Sequence, residues 1–118
     1  MPRFVVLRHD HPRGVHWDFM LETGKVLTTW ALESPPEPGE RIVARPLPDH
    51  RPAFLHYEGP IAGDRGSVTR WDEGTCELVE RSEDQWLVVL WGKRLAAKAA
   101  IRRIRGEPVR WEFAFSRE

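Results

Sequence analysis

A chain of 118 residues is long enough for one hydrophobic core and too short for two independent ones, so a single domain over residues 1–118 is expected. Its 18 basic and 18 acidic residues cancel, which excludes a global basic field drawing the protein onto nucleic acid; a polyanion has to be met by a local patch. The lone Cys76 excludes a disulfide framework and a zinc ribbon, and the lack of an apolar leader or a bilayer-length apolar run makes a reducing, cytoplasmic, membrane-free setting the expectation.

Along the chain the apolar residues recur mostly with period two, interrupted by Gly, Pro, Asp and Ser. This predicts strands over 3–8, 15–22, 25–32, 41–46, 53–58, 66–71, 76–81, 86–92, 97–104 and 109–115. Turns are expected at "ETGK", "ESPPEPGE", "PLPDHRP", "GPIAGDRG", "DEGT", "RSEDQ" and "RGEP". The fold class is therefore all-β, about ten short strands arranged as a sandwich or barrel. Cys76 is expected in a buried strand and the tryptophans in the core.

Three stretches complicate the pattern. Prolines crowd the chain from Pro35 to Pro52, which marks a rigid, loop-rich excursion rather than an inter-domain linker. "GKRLAAKAAIRRIRG" is rich in helix formers and reads equally as a short basic helix. Between Lys93 and Arg110 the charges are almost all positive, with only Glu107 opposing them. That run is either a phosphate-facing edge or a solvated face paired with the acidic run 72–84.

The chemistry concentrates in "HDHPRGVHWDFMLE", residues 9 to 22. In a strand over 15–22, His16, Asp18, Met20 and Glu22 share one face and Val15, Trp17, Phe19 and Leu21 the other. His16 and Asp18 then point the same way and offer imidazole nitrogen and carboxylate oxygen to one divalent ion, with His9 or His11 as a third ligand. An ordinary hydrogen-bonded surface pair is the simpler alternative. Further along, His50 and His56 accompany Arg45 and Arg51, while Arg65 and Arg70 sit on a Gly-rich turn and strand. A metal faced by a histidine and by arginines such as Arg45 and Arg65 suits phosphate esters. No G-x-S-x-G elbow or Walker-type loop competes with that reading.

In this order, "RFVVLRHD", "VHWDFMLE", "VLTTWAL", "DHRPAFLHYEG", "GDRGSVTRWDEGT" and "WLVVLWGKRLAAKAAIRRIR" resemble the phosphoesterase domain of bacterial DNA ligase D and its stand-alone relatives, over roughly residues 3 to 104. The resemblance implies a small closed or nearly closed β-barrel of about eight to ten short strands with a polar interior crater and a divalent metal, typically Mn2+, with Zn2+ or Co2+ as alternatives. It places the metal on His9, His16 and Asp18, with His11 as the alternative to His9, and the phosphate or proton-donor role on His50. It implies trimming of DNA 3′ ends by removal of a terminal ribonucleoside and then of the 3′-phosphate. The partners implied are nucleic-acid 3′ ends and a separate ligase or polymerase, with the protein as a monomer. It also turns the 93–105 stretch toward strand.

The chain departs from that pattern in several places. His9 and His16 are seven apart where the family has six, Met20 stands where an arginine follows the "DF" pair, and Phe54 replaces a tyrosine. The lysine of "W-A-V-P-K-G-P" has no counterpart, and either Arg41 or Arg45 answers to the arginine before the "DH" motif. Two other functions stay open beside the enzyme: a catalytically weakened barrel that binds metal, nucleic-acid ends or a repair partner, and a facial-triad iron oxygenase built on H-x-D plus a later histidine. His56 is placed on the barrel rim.

Overall fold

The computed structural model describes residues 1–106 and 110–116. Nine strands build it: β1 Arg3–His11, β2 Gly14–Thr23, β3 Val26–Leu32, β4 Ile42–His50, β5 Gly59–Pro60, β6 Ser67–Arg81, β7 Gln85–Gly92, β8 Ala96–Arg103 and β9 Trp111–Ser116. They form one sheet in the order β1-β2-β3-β4-β9-β8-β7-β6-β5. A further β1–β6 pairing brings eight of them into a nearly closed ring, with β5 as a short appendage on β6. All the pairings are antiparallel. Among the described residues no helix is long and apolar enough to cross a membrane.

Strand alternation explains where the core lies. Each ring strand sends apolar side chains inward: Val6, Phe19, Trp30, Ala44, Cys76, Leu90, Ala99 and Phe113 all belong to one buried cluster. On β1 and β2 the intervening residues are apolar as well. Val5, Leu7 and Met20 join Leu27, Leu55 and Val68 in a second cluster on the outer face. That outer cluster lies beneath Phe54 and Ile61 of the segment between β4 and β6. Burial on both faces is why "FVVL" reads as a continuous apolar run instead of an alternating one.

Three local expectations are corrected. The stretch 53–58 is not a strand: Pro52–Leu55 is a 3-10 turn with Pro52 at its start, where a fixed φ and a missing N–H suit a helix N-terminus. The separate strands at 66–71 and 76–81 are one fifteen-residue β6, and "DEGT" is part of it. Gly74 allows this, because a Cβ there would stand 1.9 Å from the Trp91 carbonyl oxygen of the neighbouring strand. The third concerns β4, which runs on through Pro46 and Pro48 to His50 although "PLPDHRP" reads as a turn. Among the described residues only Ile42, Val43 and Ala44 pair with β9, and β3 pairs with β4 along the proline-containing stretch as far as His50. The strand predicted over 97–104 forms despite its helix-forming composition, as β8, because β7 and β9 pair with its two edges and Ala97, Ala99 and Ile101 fill the ring. Residue 109 of the predicted last strand and Glu107 of the basic run lie outside the described residues.

Asp72 is buried within the residues read as a turn. Its carboxylate accepts the backbone N–H groups of Glu73 (2.8 Å), Lys93 (2.8 Å), Arg94 (3.2 Å) and Leu95 (2.8 Å), and so fixes the β7–β8 connection.

Candidate metal and phosphate site

The β1–β2 hairpin turns through Pro12 and Arg13, and its register sets His9 opposite His16 and Leu7 opposite Asp18. In a two-residue hairpin, facing residues are separated by an odd number, so the seven-residue spacing is what puts the two imidazoles side by side. Their ring centroids are 4.6 Å apart. Asp18 lies one pleat further on the same face and is 3% exposed.

One ligand atom from each of His9, His16 and Asp18 falls within 4.8 Å of the others. His9 Nε2 donates to the Arg65 carbonyl at 2.6 Å, which leaves Nδ1 as its lone-pair nitrogen, 3.2 Å from Asp18 Oδ2. Two acceptors facing each other at that distance need a proton or a cation between them. The other carboxylate oxygen, Oδ1, is 3.0 Å from His16 Nε2 but has no hydrogen-bond partner of acceptable geometry and is buried. An orphaned anionic oxygen beside two imidazole nitrogens fits a divalent cation of the transition series. The Arg65 carbonyl fixes the His9 ring from behind, the support that metal-binding histidines ordinarily have.

Arg65 reaches that position because of Gly66. The turn is closed by Ile61 N–H donating to the Gly66 carbonyl at 2.8 Å, and Gly66 has φ +80°. A Cβ on Gly66 would lie 1.8 Å from the Asp10 carbonyl oxygen, so the turn lies directly on the end of β1.

These residues form one end of a cavity of about 480 Å³, whose wall continues through Met20, Arg45, His50, Arg51, Phe54 and Arg65. His50 Nδ1 donates to the Pro48 carbonyl at 2.9 Å, which leaves Nε2 as its uncommitted nitrogen. The Phe54 ring meets His50 edge-on, with centroids 5.3 Å apart. Three arginines therefore border a cavity whose other polar groups are imidazoles and carboxylates. The cavity suits a small phosphate ester.

The structure thus brings His9, His16, Asp18, His50, Arg45 and Arg65 to a single cavity. His11 also borders it, its ring edge-on to His9 with centroids 5.5 Å apart, but its Nδ1 accepts the Arg13 backbone N–H at 3.1 Å and the three ligand atoms that cluster are those of His9, His16 and Asp18. Partial burial, and after it the nearby His9, His16, Arg13 and Arg65, hold the His11 imidazole below the ordinary histidine range. Arg45 borders the cavity and Arg41 does not, which separates the two candidates for the arginine before "DH".

One implied feature is placed differently. The crater is not inside the barrel, since the ring interior is filled by the apolar cluster; it lies on the outer face of β1–β4, under the 51–66 segment. His56 is exposed outside it, with Nε2 3.4 Å from Arg3 Nη1. Arg70 turns to Glu58 (3.5 Å) and Glu73 (3.4 Å). Among the described residues the 93–110 run contributes nothing to the crater. Part of that run pairs with the acidic stretch instead, Arg103 with Asp84 at 3.6 Å. What sequence reasoning missed is the backbone role of Arg65; its signal was the pair of glycines around "DR".

Comparison with known proteins follows the same residues. Residues 7–103 match the family described as the DNA Ligase D 3′-phosphoesterase domain. The multifunctional non-homologous end joining DNA repair protein LigD of Mycobacterium tuberculosis (H37Rv) is 32% identical over 117 residues, covering 92% of this chain and 15% of that protein. The multifunctional non-homologous end joining protein LigD of Pseudomonas aeruginosa is 34% identical over 77 residues, 61% of this chain and 9% of that protein. The chain thus spans a small fraction of the length of these relatives.

Proposed function

Because the chain belongs to the DNA ligase D 3′-phosphoesterase domain family, we propose that it serves DNA end-joining repair as a metal-dependent phosphoesterase on nucleic-acid 3′ ends. The observation that carries this reading is the His9–His16–Asp18 cluster, with its orphaned carboxylate oxygen, at one end of a cavity bordered by Arg45, Arg51, Arg65 and His50.

A divalent cation, manganese by family resemblance with zinc or cobalt as alternatives, would be held by His9 Nδ1, His16 Nε2 and Asp18 and would polarise a phosphoryl oxygen or a water. The arginines compensate the charge on the non-bridging phosphate oxygens, and each charge-assisted contact that strengthens in the transition state contributes about 1.5–3 kcal/mol. His50, its Nδ1–H occupied by Pro48, delivers a proton from Nε2 to the leaving ester oxygen when it carries one. The Arg65 carbonyl holds the His9 tautomer that turns Nδ1 toward Asp18.

The test is release of phosphate from a 3′-phosphorylated primer, and of the terminal nucleoside from a ribonucleotide-ended primer, with added manganese. Wild type turns over and His16→Ala does not; a folded wild type inert in every divalent metal refutes the reading. Met20 and Phe54 favour a second reading, because the first fills the crater floor with an apolar side chain and the second lacks a hydroxyl. On that reading the chain binds 3′ ends without turnover, and binding survives His16→Ala.

A further inference from the structure

A second cleft, of about 290 Å³, adjoins the crater and is built from the same segment of chain. Phe54, Arg51, Ile61 and Arg65 border both spaces, while Ala53, Tyr57 and Ala62 border the cleft alone. An aromatic line crosses the divide: His50 on the crater side meets Phe54 edge-on at 5.3 Å, and Phe54 meets Tyr57 edge-on at 5.8 Å. The Tyr57 hydroxyl donates to the Pro60 carbonyl, so its ring is held across the turn although it remains 37% exposed. Arg65 is tethered as well, its Nε donating to the Ala62 carbonyl at 2.7 Å.

We infer that this cleft is a nucleoside subsite, which takes the base and sugar bearing the terminal 3′-phosphate while the phosphate itself lies in the crater. The inference rests on the phosphoesterase reading of the crater and names what lies beside the reacting phosphate. Three observations point to that ligand. The two spaces are contiguous, as a phosphate and its own nucleoside must be. The shared border carries two arginines, which complement a phosphate passing between them. The cleft's own wall is an exposed aromatic ring, already fixed, beside small side chains, the arrangement on which a base of any identity stacks. An ordered ring loses little conformational freedom when a base packs on it.

The cleft can be filled without touching the crater. Ala53 and Ala62 are exposed and do not border the crater, so Ala53→Trp and Ala62→Trp each occupy the subsite from a different side. The probes are two oligonucleotides identical except at the last position, one ending in an ordinary nucleoside 3′-phosphate and the other in an abasic 3′-phosphate. KM is measured in manganese, and affinity is measured by fluorescence anisotropy under non-turnover conditions. Wild type should prefer the base-bearing end by about five- to a hundredfold, the range expected for one base–aromatic stack. Both tryptophan variants should abolish the preference and leave the abasic end unchanged. Equal affinity of wild type for the two ends, or a preference that survives both fillings in folded variants, overturns the inference. If no end is turned over, the phosphoesterase reading fails, and the anisotropy preference still decides the subsite.

Discussion

Gly66→Ala is the sharpest test of how the fold builds the site. Gly66 carries φ +80° and a Cβ there would stand 1.8 Å from the Asp10 carbonyl oxygen, 2.8 Å from its carbon and 3.0 Å from His11 Cα. All three obstacles are backbone, so no side chain can swing aside; the 61–66 turn has to lift from the end of β1. The left-handed conformation alone costs an alanine about 1 kcal/mol, and the enforced displacement adds about 1–3 kcal/mol. Lifting the turn withdraws the Arg65 carbonyl from His9 Nε2, now 2.6 Å away, and frees the ring to choose the other tautomer. Loss of such support ordinarily lowers metal affinity by about ten- to a hundredfold. Gly63→Ala is the control, because Gly63 has φ +77° but its Cβ would meet nothing nearer than Arg65 Nε at 3.9 Å. Urea unfolding should show a loss of about 1 kcal/mol for Gly63→Ala and about 2–4 kcal/mol for Gly66→Ala. Manganese titration by calorimetry should show weakened binding in Gly66→Ala only. Equal stability of the two variants, or an unchanged manganese affinity in Gly66→Ala, refutes the account of Arg65 as the support of His9.

Further outcomes follow from the same geometry. Asp18→Asn should leave the metal-free melting temperature unchanged or raised, since Oδ1 is buried without a partner, while the manganese-induced rise disappears. Asp72→Ala strands three backbone N–H groups of the β7–β8 connection and one of β6, and should cost on the order of 3–5 kcal/mol in urea unfolding; a loss under 1 kcal/mol contradicts the structural role. Burial, and secondarily Glu22, pushes the Cys76 thiol from its ordinary 9.0 up to about 11. The neutral thiol is thus favoured by folding: its contribution is intact below pH 9.0 and is lost as pH rises toward about 11, and Cys76 should react with a thiol reagent at pH 8 only after unfolding. Phe54→Tyr puts a hydroxyl on the crater wall and should raise kcat on 3′-phosphorylated ends without lowering stability; a fall in kcat counts against a phosphate at that wall.

Much of the molecule was legible in the residues themselves. Period-two patterning with frequent turn residues suffices for an all-β chain, because side-chain alternation is a property of any extended strand. The H-x-D spacing likewise places His16 and Asp18 on one face without reference to the rest of the fold. Composition alone leaves "LAAKAAIRR" open between helix and strand, and it is strand because β7 and β9 occupy both its edges; "PLPDHRP" reads as a turn, yet β3 pairs along it to His50. "DEGT" failed as a turn because Gly74 serves a close approach of two strands, and a glycine bears the same letter in either use.

What no local pattern could supply was which of the two faces of β2 is the wet one. Phe19 and Leu21 go into the ring and Asp18 to its outside, so the crater lies on the barrel wall, covered by a segment more than thirty residues further along. That choice depends on closure of the ring and on the docking of the Gly66 turn against Asp10. The sequence by itself determined that His16 and Asp18 share a face of one strand; the β1–β2 hairpin register decided that His9 faces His16, and the long-range contacts decided which nitrogen of His9 is turned to Asp18 and which arginines share the cavity. Strand alternation is local, whereas cavities are made by chain segments that meet only when the fold closes.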